Sequence, residues 1–243
     1  MPWWYDRYAI EQTLKIRDQF NISTFIETGT FRGVNIFFHS HHFKYVYGVE
    51  IDEFYAQMSR YRVRHSENVI VFHMSSDAFL TKFISYYEMM GRTDTVFIYL
   101  DAHFHNPGAK TKEERWVVIN ELKSLKGFQN CVLVIHDFKL PNLGYLYYDN
   151  ESLDFDLIKE YIQAINPDFN LYCNAREFCE VHTEDSIRGV MGLHDDEDTL
   201  DTIRYHQKED RLKYRGALYC TPKQLDLSHF RLKEIMSYCV SEK

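Results

Sequence analysis

Residues 24–33 read TFIETGTFRG, and this stretch decides the fold. A short apolar run rises to an acidic residue, Glu27, and then bends through Gly29 and Gly33. That order reads as a buried parallel strand running into a glycine loop and a helix, the place where open α/β sheets bind nucleotides. Only 10 of the 243 residues are glycine, below the usual share of about 7%. Two of them in one loop therefore mark a backbone requirement. Gly29 can take a conformation closed to other residues, and Gly33 is expected to let the next helix (Val34, Ile36, Phe37) lie close to the strand. An ordinary strand-to-helix turn would look similar, so the rest of the chain has to decide.

Outward from the loop the pattern repeats. Residues 5–20 have helical spacing, with Tyr8, Leu14 and Phe20 available for one face, and this helix is expected to cover the sheet or an edge of the site. Strands are expected at 24–27, 45–50 (YVYGVE), 69–73, 95–101 (TVFIYLD) and 131–137 (CVLVIHD). Helices are expected at 53–64, from Ser76 onward with Asp77 as cap, and at 112–126 with Trp116, Ile119 and Leu122. Runs as apolar as 95–101 and 131–137 belong to strands buried on both faces. Beyond them the reading expects a proline- and tyrosine-containing loop at 138–149 as a site wall, with Tyr145, Tyr147 and Tyr148 placed either to stack on a ligand or to pack beneath the loop. A helix at 155–165, strands at 169–173 and 216–221 and a closing helix at 227–240 complete the pattern. Residues 180–214, with the acidic run HDDEDTLD, form an insertion between the last two strands.

Composition bounds the class. A chain of 243 residues that is 45% hydrophobic can bury one sizeable core, and a single domain spanning 1–243 is expected. Five cysteines without a C-x-x-C pair suit buried thiols in a reducing compartment, so a cytoplasmic location is expected. The start MPWWYDRY lacks the basic and apolar regions of a signal peptide. No apolar run approaches the roughly 20 residues of a membrane span. A formal charge of −8 argues against nucleic acid as partner.

Alternating strands and helices predict an α/β fold with a mostly parallel sheet, whose ligands sit beyond the carboxyl ends of the strands. Glu27, Glu50, Asp77, Asp101 and Asp137 all fall there. Taken together, these positions resemble the class I S-adenosylmethionine (SAM)-dependent methyltransferases across residues 24–221. The resemblance implies a Rossmann-like methyltransferase sandwich, a seven-stranded sheet with helices on both faces. In that family the first loop reads E-x-G-x-G-x-G. Here Glu27, Gly29 and Gly33 match and Phe31 replaces the middle glycine. The resemblance implies that Glu27, Thr28 and Gly29 lie beside the methionine part of SAM and that Glu50 accepts from both ribose hydroxyls. A carboxylate suits a vicinal diol, since each oxygen can take one donor. Asp77, with Ser76 and Ala78, would meet the adenine, and Asp101 would border the cofactor. Glu50 alone also fits a dinucleotide enzyme, but the G-x-G-x-x-G loop is absent.

The stretches LDAHFH (100–105) and IHDF (135–138) are similar to metal-assisted O-methyltransferases of the macrocin and catechol kind. That likeness implies Mg²⁺ or Mn²⁺ held by Asp101 and Asp137. His136 stands where an acid is often found, as a further ligand candidate. A sugar hydroxyl is a poor nucleophile until deprotonated, and a hard cation with a base nearby makes that easier. His103 is the candidate base, with Asp101 beside it. For His105 and for His136 taken singly a hydrogen-bonded structural role is the expected one, for His103 that role and the base stand level, and a solvated or capping role is expected for the histidines at 39–42. The leading expectation is O-methylation of a sugar hydroxyl on a glycan or glycosylated metabolite. A phenolic or other small-molecule hydroxyl, and a non-catalytic SAM-binding scaffold, remain alternatives. The residues leave open a homo-oligomer and fusion to glycan-synthesising modules.

Overall fold

The computed structural model describes residues 6–102, 108–141, 143, 151–174, 180–182, 213–227 and 232–234. Five strands, β1 (Thr24–Thr28), β2 (Tyr45–Glu50), β3 (Val69–His73), β4 (Val96–Leu100) and β5 (Cys131–Phe138), pair in parallel. Then β6 (Asn170–Asn174), β7 (Glu180–His182), β8 (Lys213–Thr221) and β9 (Leu232–Glu234) join antiparallel. The strand order is β3-β2-β1-β4-β5-β8-β6-β9, with β7 on β8, making nine strands among the described residues. The sheet is therefore mixed, and the short strands β7 and β9 add to the expected seven, β9 at the edge and β7 beside the start of β8.

Alternation along the strands divides the core. Phe25, Phe97, Tyr99, Val132 and Val134 face one buried layer with Ala9 and Ile16 of α1 (Arg7–Phe20), Ile36 of α2 (Val34–Ser40) and Val63, which ends α3 (Glu53–Arg62). Ile26, Ile98, Leu100, Leu133 and Ile135 face the other. There they meet α4 (Ser76–Met89), α6 (Val117–Ser124) and α7 (Phe155–Ile165) through Leu80, Leu122 and Ile162. A helix on each face is what continuous apolar strands require.

Several local expectations are corrected. The expected helix at 112–126 is two: α5 (Lys112–Arg115) and α6, broken at Trp116, whose backbone is extended (φ −123°, ψ 103°) so that its ring can be buried. α1 buries Ala9, Gln12, Thr13 and Ile16, while Tyr8, Leu14 and Phe20 lie at the margins of that face. Within the segment read as a closing helix, Leu232–Glu234 is a strand, because the free edge of β6 offers it backbone partners. Of the insertion 180–214, Glu180–His182 pairs with the start of β8, and residues 183–212 lie outside the described ones. The tyrosines at 145–148 lie outside them too.

His39 also departs from expectation. It is wholly buried at the end of α2, its ring 4.2 Å from that of Phe25 and 5.6 Å from that of Phe43. Neither ring nitrogen has a hydrogen-bond partner among the described residues. Burial, helped by the nearby His42 and Arg17, lowers its pKa to about 3. Folded protein thus keeps His39 neutral where the unfolded chain would protonate it, so its contribution to stability is full above about pH 6.5 and is lost as pH falls toward 3. We expect His39→Phe to flatten the acid side of the melting-temperature profile between pH 6.5 and 4, with little change in slope above pH 7. A parallel decline in both proteins would refute this.

Candidate active site

Register places the site. Thr28 pairs with Val49 and Leu100, and Leu100 with Ile135. One residue further, Gly29, Glu50, Asp101 and His136 form a row along the carboxyl rim. The glycine loop wraps this row with left-handed backbone at every second position: Gly29 (φ 70°), Phe31 (φ 48°) and Gly33 (φ 70°). Phe31 thus takes the conformation of the glycine it replaces, at a cost of roughly 1–2 kcal/mol. Its N–H donates to Glu50 Oε2 (2.8 Å) and its ring packs on Tyr55 (centroids 4.3 Å apart), which offset that cost. A Cβ on Gly29 would lie 2.7 Å from Ala102 Cα. On Gly33 it would lie 2.7 Å from Ser59 Cα, so that glycine admits α3 and not, as expected, the strand.

Glu50 ties two turns together, since its Oε1 also accepts from Asp52 N (3.0 Å). Glu27 is buried. Its Oε1 accepts from Asn35 Nδ2 (2.6 Å), and Oε2 has no partner among the described residues. Burial raises its pKa to about 8, opposed by the Asn35 hydrogen bond. Ser76 is buried at the start of α4, with Asp77 and Ala78 half-buried after it. The cap position belongs to Ser75; Asp77 lies in the first turn, where the helix dipole favours an acid.

Asp101 and His136 are on the same sheet face by alternation, and His136 Nδ1 lies 2.8 Å from Asp101 Oδ1. Asp137 would point to the opposite face, but it has φ 52° and the β5–β8 register slips between Ile135 and Phe138. The bulge brings Asp137 Oδ1 to 3.4 Å from His136 Nδ1 and turns Phe138 into the same layer as Ile135. Ligand atoms of Asp101, His136 and Asp137 all lie within 4.8 Å of one another. Arg215 Nε donates to Asp137 Oδ1, and His136 Nε2 meets Asp6 Oδ2 at 3.3 Å. Burial depresses His136, but Asp101 and then Asp137, against the opposing Arg215, bring its pKa up to about 10. Two carboxylates and an imidazole fit a small dication, with the nitrogen favouring Mn²⁺ over Mg²⁺. Arg215 and protonated His136 are its competitors for the same charge.

Asp101, His136 and Asp137 therefore converge on the rim that also carries Glu27 and Glu50. His103 lies outside the described residues. Sequence reading missed Asp6, Arg215 and Glu121. Asp6 carries a helix-cap signal but its partner is far along the chain, and nothing local pairs Arg215 with Asp137. Glu121 was findable, because it shares the apolar helical stripe of Val118 and Leu122.

No protein-family model matches the chain, and no curated protein matches it in sequence. Solved structures do resemble it. YcgJ of Bacillus subtilis is 12% identical with a TM-score of 0.55, covering 88% of this chain and 98% of its own. An O-methyltransferase of Bacillus cereus in complex with S-adenosylhomocysteine (SAH) is 12% identical with a TM-score of 0.51, covering 90% and 82%. The methyltransferase domain of bacterial CtHen1-CN is 11% identical with a TM-score of 0.50, covering 88% and 98%. At such identities the likeness is one of fold: the Rossmann-like α/β fold of SAM-dependent methyltransferases. No helix among the described residues is long and apolar enough to cross a membrane.

Glu121 lies beneath the rim, fully buried, with its oxygens near the Ser76 and Thr28 hydroxyls but without well-formed hydrogen bonds. Burial raises its pKa to about 7 against the pull of those hydroxyls. A raised carboxyl stabilises fully below its unfolded pKa, near 4.5, and that contribution is lost as pH rises through about 7. Glu121→Gln should accordingly gain stability over the parent at pH 8, on the order of 1–3 kcal/mol, and little at pH 4.5. Denaturant melts at the two pH values measure it, and an equal effect at both would contradict the assignment.

Proposed function

We propose that the protein is a SAM-dependent O-methyltransferase that methylates a sugar hydroxyl of a glycan or glycosylated metabolite with help from a divalent cation. The observation that carries this reading is the convergence of Asp101, His136 and Asp137 at the rim, next to the left-handed loop and to Glu27 and Glu50 near the carboxyl ends of β1 and β2. The fold supports the cofactor. The sugar acceptor rests on the resemblance of the ETGTFRG, LDAH and HDFKLP stretches.

In this reading SAM lies along Glu27, Thr28, Gly29 and Gly33, with its ribose on Glu50 and its adenine by Ser76, Asp77 and Ala78. Glu50 keeps the loop in place through Phe31 N and Asp52 N while offering further lone pairs to the diol. Glu27 Oε2 faces the methionine ammonium. Asp101, Asp137 and His136 hold Mg²⁺ or Mn²⁺, which lowers the cost of deprotonating a hydroxyl bound beside it. His103 takes the acceptor proton as the methyl group transfers, and Asp101 borders both cofactor and acceptor.

Turnover of SAM to SAH with candidate sugars is the direct test. Glu50→Ala should weaken SAM binding by up to about 1.5–3 kcal/mol for each charge-assisted hydrogen bond lost. Replacing His103 by Gln should lower turnover about 10²–10⁴-fold while leaving SAM affinity intact. Unchanged affinity in the first variant, tight binding of NAD, or normal turnover in the second would refute the corresponding role. Full activity after exhaustive chelation would remove the cation.

Glu27 gives a separate prediction. Its carboxyl is held protonated by burial until a cationic partner arrives, so SAM binding at pH 7 should release a proton that Glu27→Gln does not. Calorimetry in buffers of different ionisation enthalpy reads that proton. Equal release in both proteins would exclude Glu27 as its source.

A further inference from the structure

Asp6 precedes α1, 130 residues before the histidine of the rim cluster. One of its oxygens does all the capping: Oδ1 accepts from Tyr8 N (2.8 Å) and Ala9 N (3.0 Å). Asparagine or serine would cap as well. The second oxygen, Oδ2, meets His136 Nε2 at 3.3 Å, and the Asp6 side chain is 0% exposed. A carboxylate is costly to bury without a partner, and a cap alone does not require one. α1 and His136 share a sheet face, since Ala9 and Ile16 pack in the layer of Val132 and Val134. With Nε2 engaged by Asp6, Nδ1 is the nitrogen turned toward Asp101 Oδ1 (2.8 Å) and Asp137 Oδ1 (3.4 Å).

We propose that Asp6 is a positioning residue for the reaction centre: it fixes the His136 ring through Nε2 so that Nδ1 is presented, together with Asp101 and Asp137, to a divalent cation. This rests on the reading of that cluster given above. Carboxylates behind a ligating imidazole orient the ring and make it a better donor, and losing one typically costs 10–100-fold in metal affinity or activity. Here the outer carboxylate comes from the cap of the N-terminal helix. Docking that helix and aiming the histidine are therefore one event.

Asp6→Asn separates capping from aiming, because its oxygen can still serve Tyr8 and Ala9 while its amide cannot accept from Nε2–H. Proton–nitrogen NMR of histidine-labelled protein, without cofactor or metal, should show a slowly exchanging His136 Nε2–H in the parent that disappears in D6N. Mn²⁺ affinity, read from the paramagnetic resonance of the free ion, should fall 10–100-fold. SAM affinity and helix content should hold. D6S should behave alike. A retained Nε2–H signal or unchanged Mn²⁺ affinity in D6N overturns the proposal, as does loss of the fold in both variants, which would make Asp6 a cap alone. If the parent binds no Mn²⁺, the cation reading fails, and the NMR signal still decides whether Asp6 holds the ring.

Discussion

Parallel strands buried on both faces can end at the same level only if their side chains alternate without interruption between two layers. β1, β4 and β5 do so, with Phe25 and Ile26, Phe97 and Ile98, and Val132 and Leu133 each divided between the layers. That alternation puts Asp101 and His136 on one face at one height, and it leaves their polar ends beyond the last paired residues. The single departure is at Asp137. A left-handed residue there lets two consecutive side chains meet, which an unbroken strand forbids.

The rim gathers charge at the expense of stability. Glu27 and Glu121 are carboxyls whose pKa values are raised by burial, and Glu27 leaves one oxygen and Glu121 both without partners among the described residues. Asp6, Asp101 and Asp137 are answered by His136 and Arg215, a near balance that limits the cost of burying Asp6, His136 and Asp137. Phe31 and Asp137 hold backbone shapes that other residues avoid. Strain and buried polarity concentrated at one end of a sheet are what a preorganised binding surface entails. Four helix starts are capped by side chains, with Asp6, Asp52, Thr111 and Asp154 accepting backbone N–H groups.

Much of the fold was legible because it is written in short-range pattern. The five parallel strands and the glycine loop follow from apolar runs that end on acids, and the rim acids follow from strand ends. What was not legible depends on distant partners. Leu232–Glu234 reads as helix until β6 presents an edge, and Trp116 breaks a helix to bury its ring. The histidines at 39–42 read as solvated, but His39 fits among phenylalanines supplied by β1 and the chain after α2. Asp137 could be placed at the rim from its position at a strand end. Its approach to His136 needed the bulge set by β8, made late in the chain.

The contact between Asp6 and His136 joins residues 130 apart. Closing so long a segment carries an entropic penalty that a single hydrogen bond does not repay, so it forms only once the intervening strands have folded. On the ribosome α1 emerges well before β5, and the contact of Asp6 with His136 must wait until four parallel strands have been made. Completion of the rim is thus also the moment at which the start of α1 is fixed, and on a growing chain the cluster of Asp6, Asp101, His136 and Asp137 is not assembled until the fifth strand has appeared.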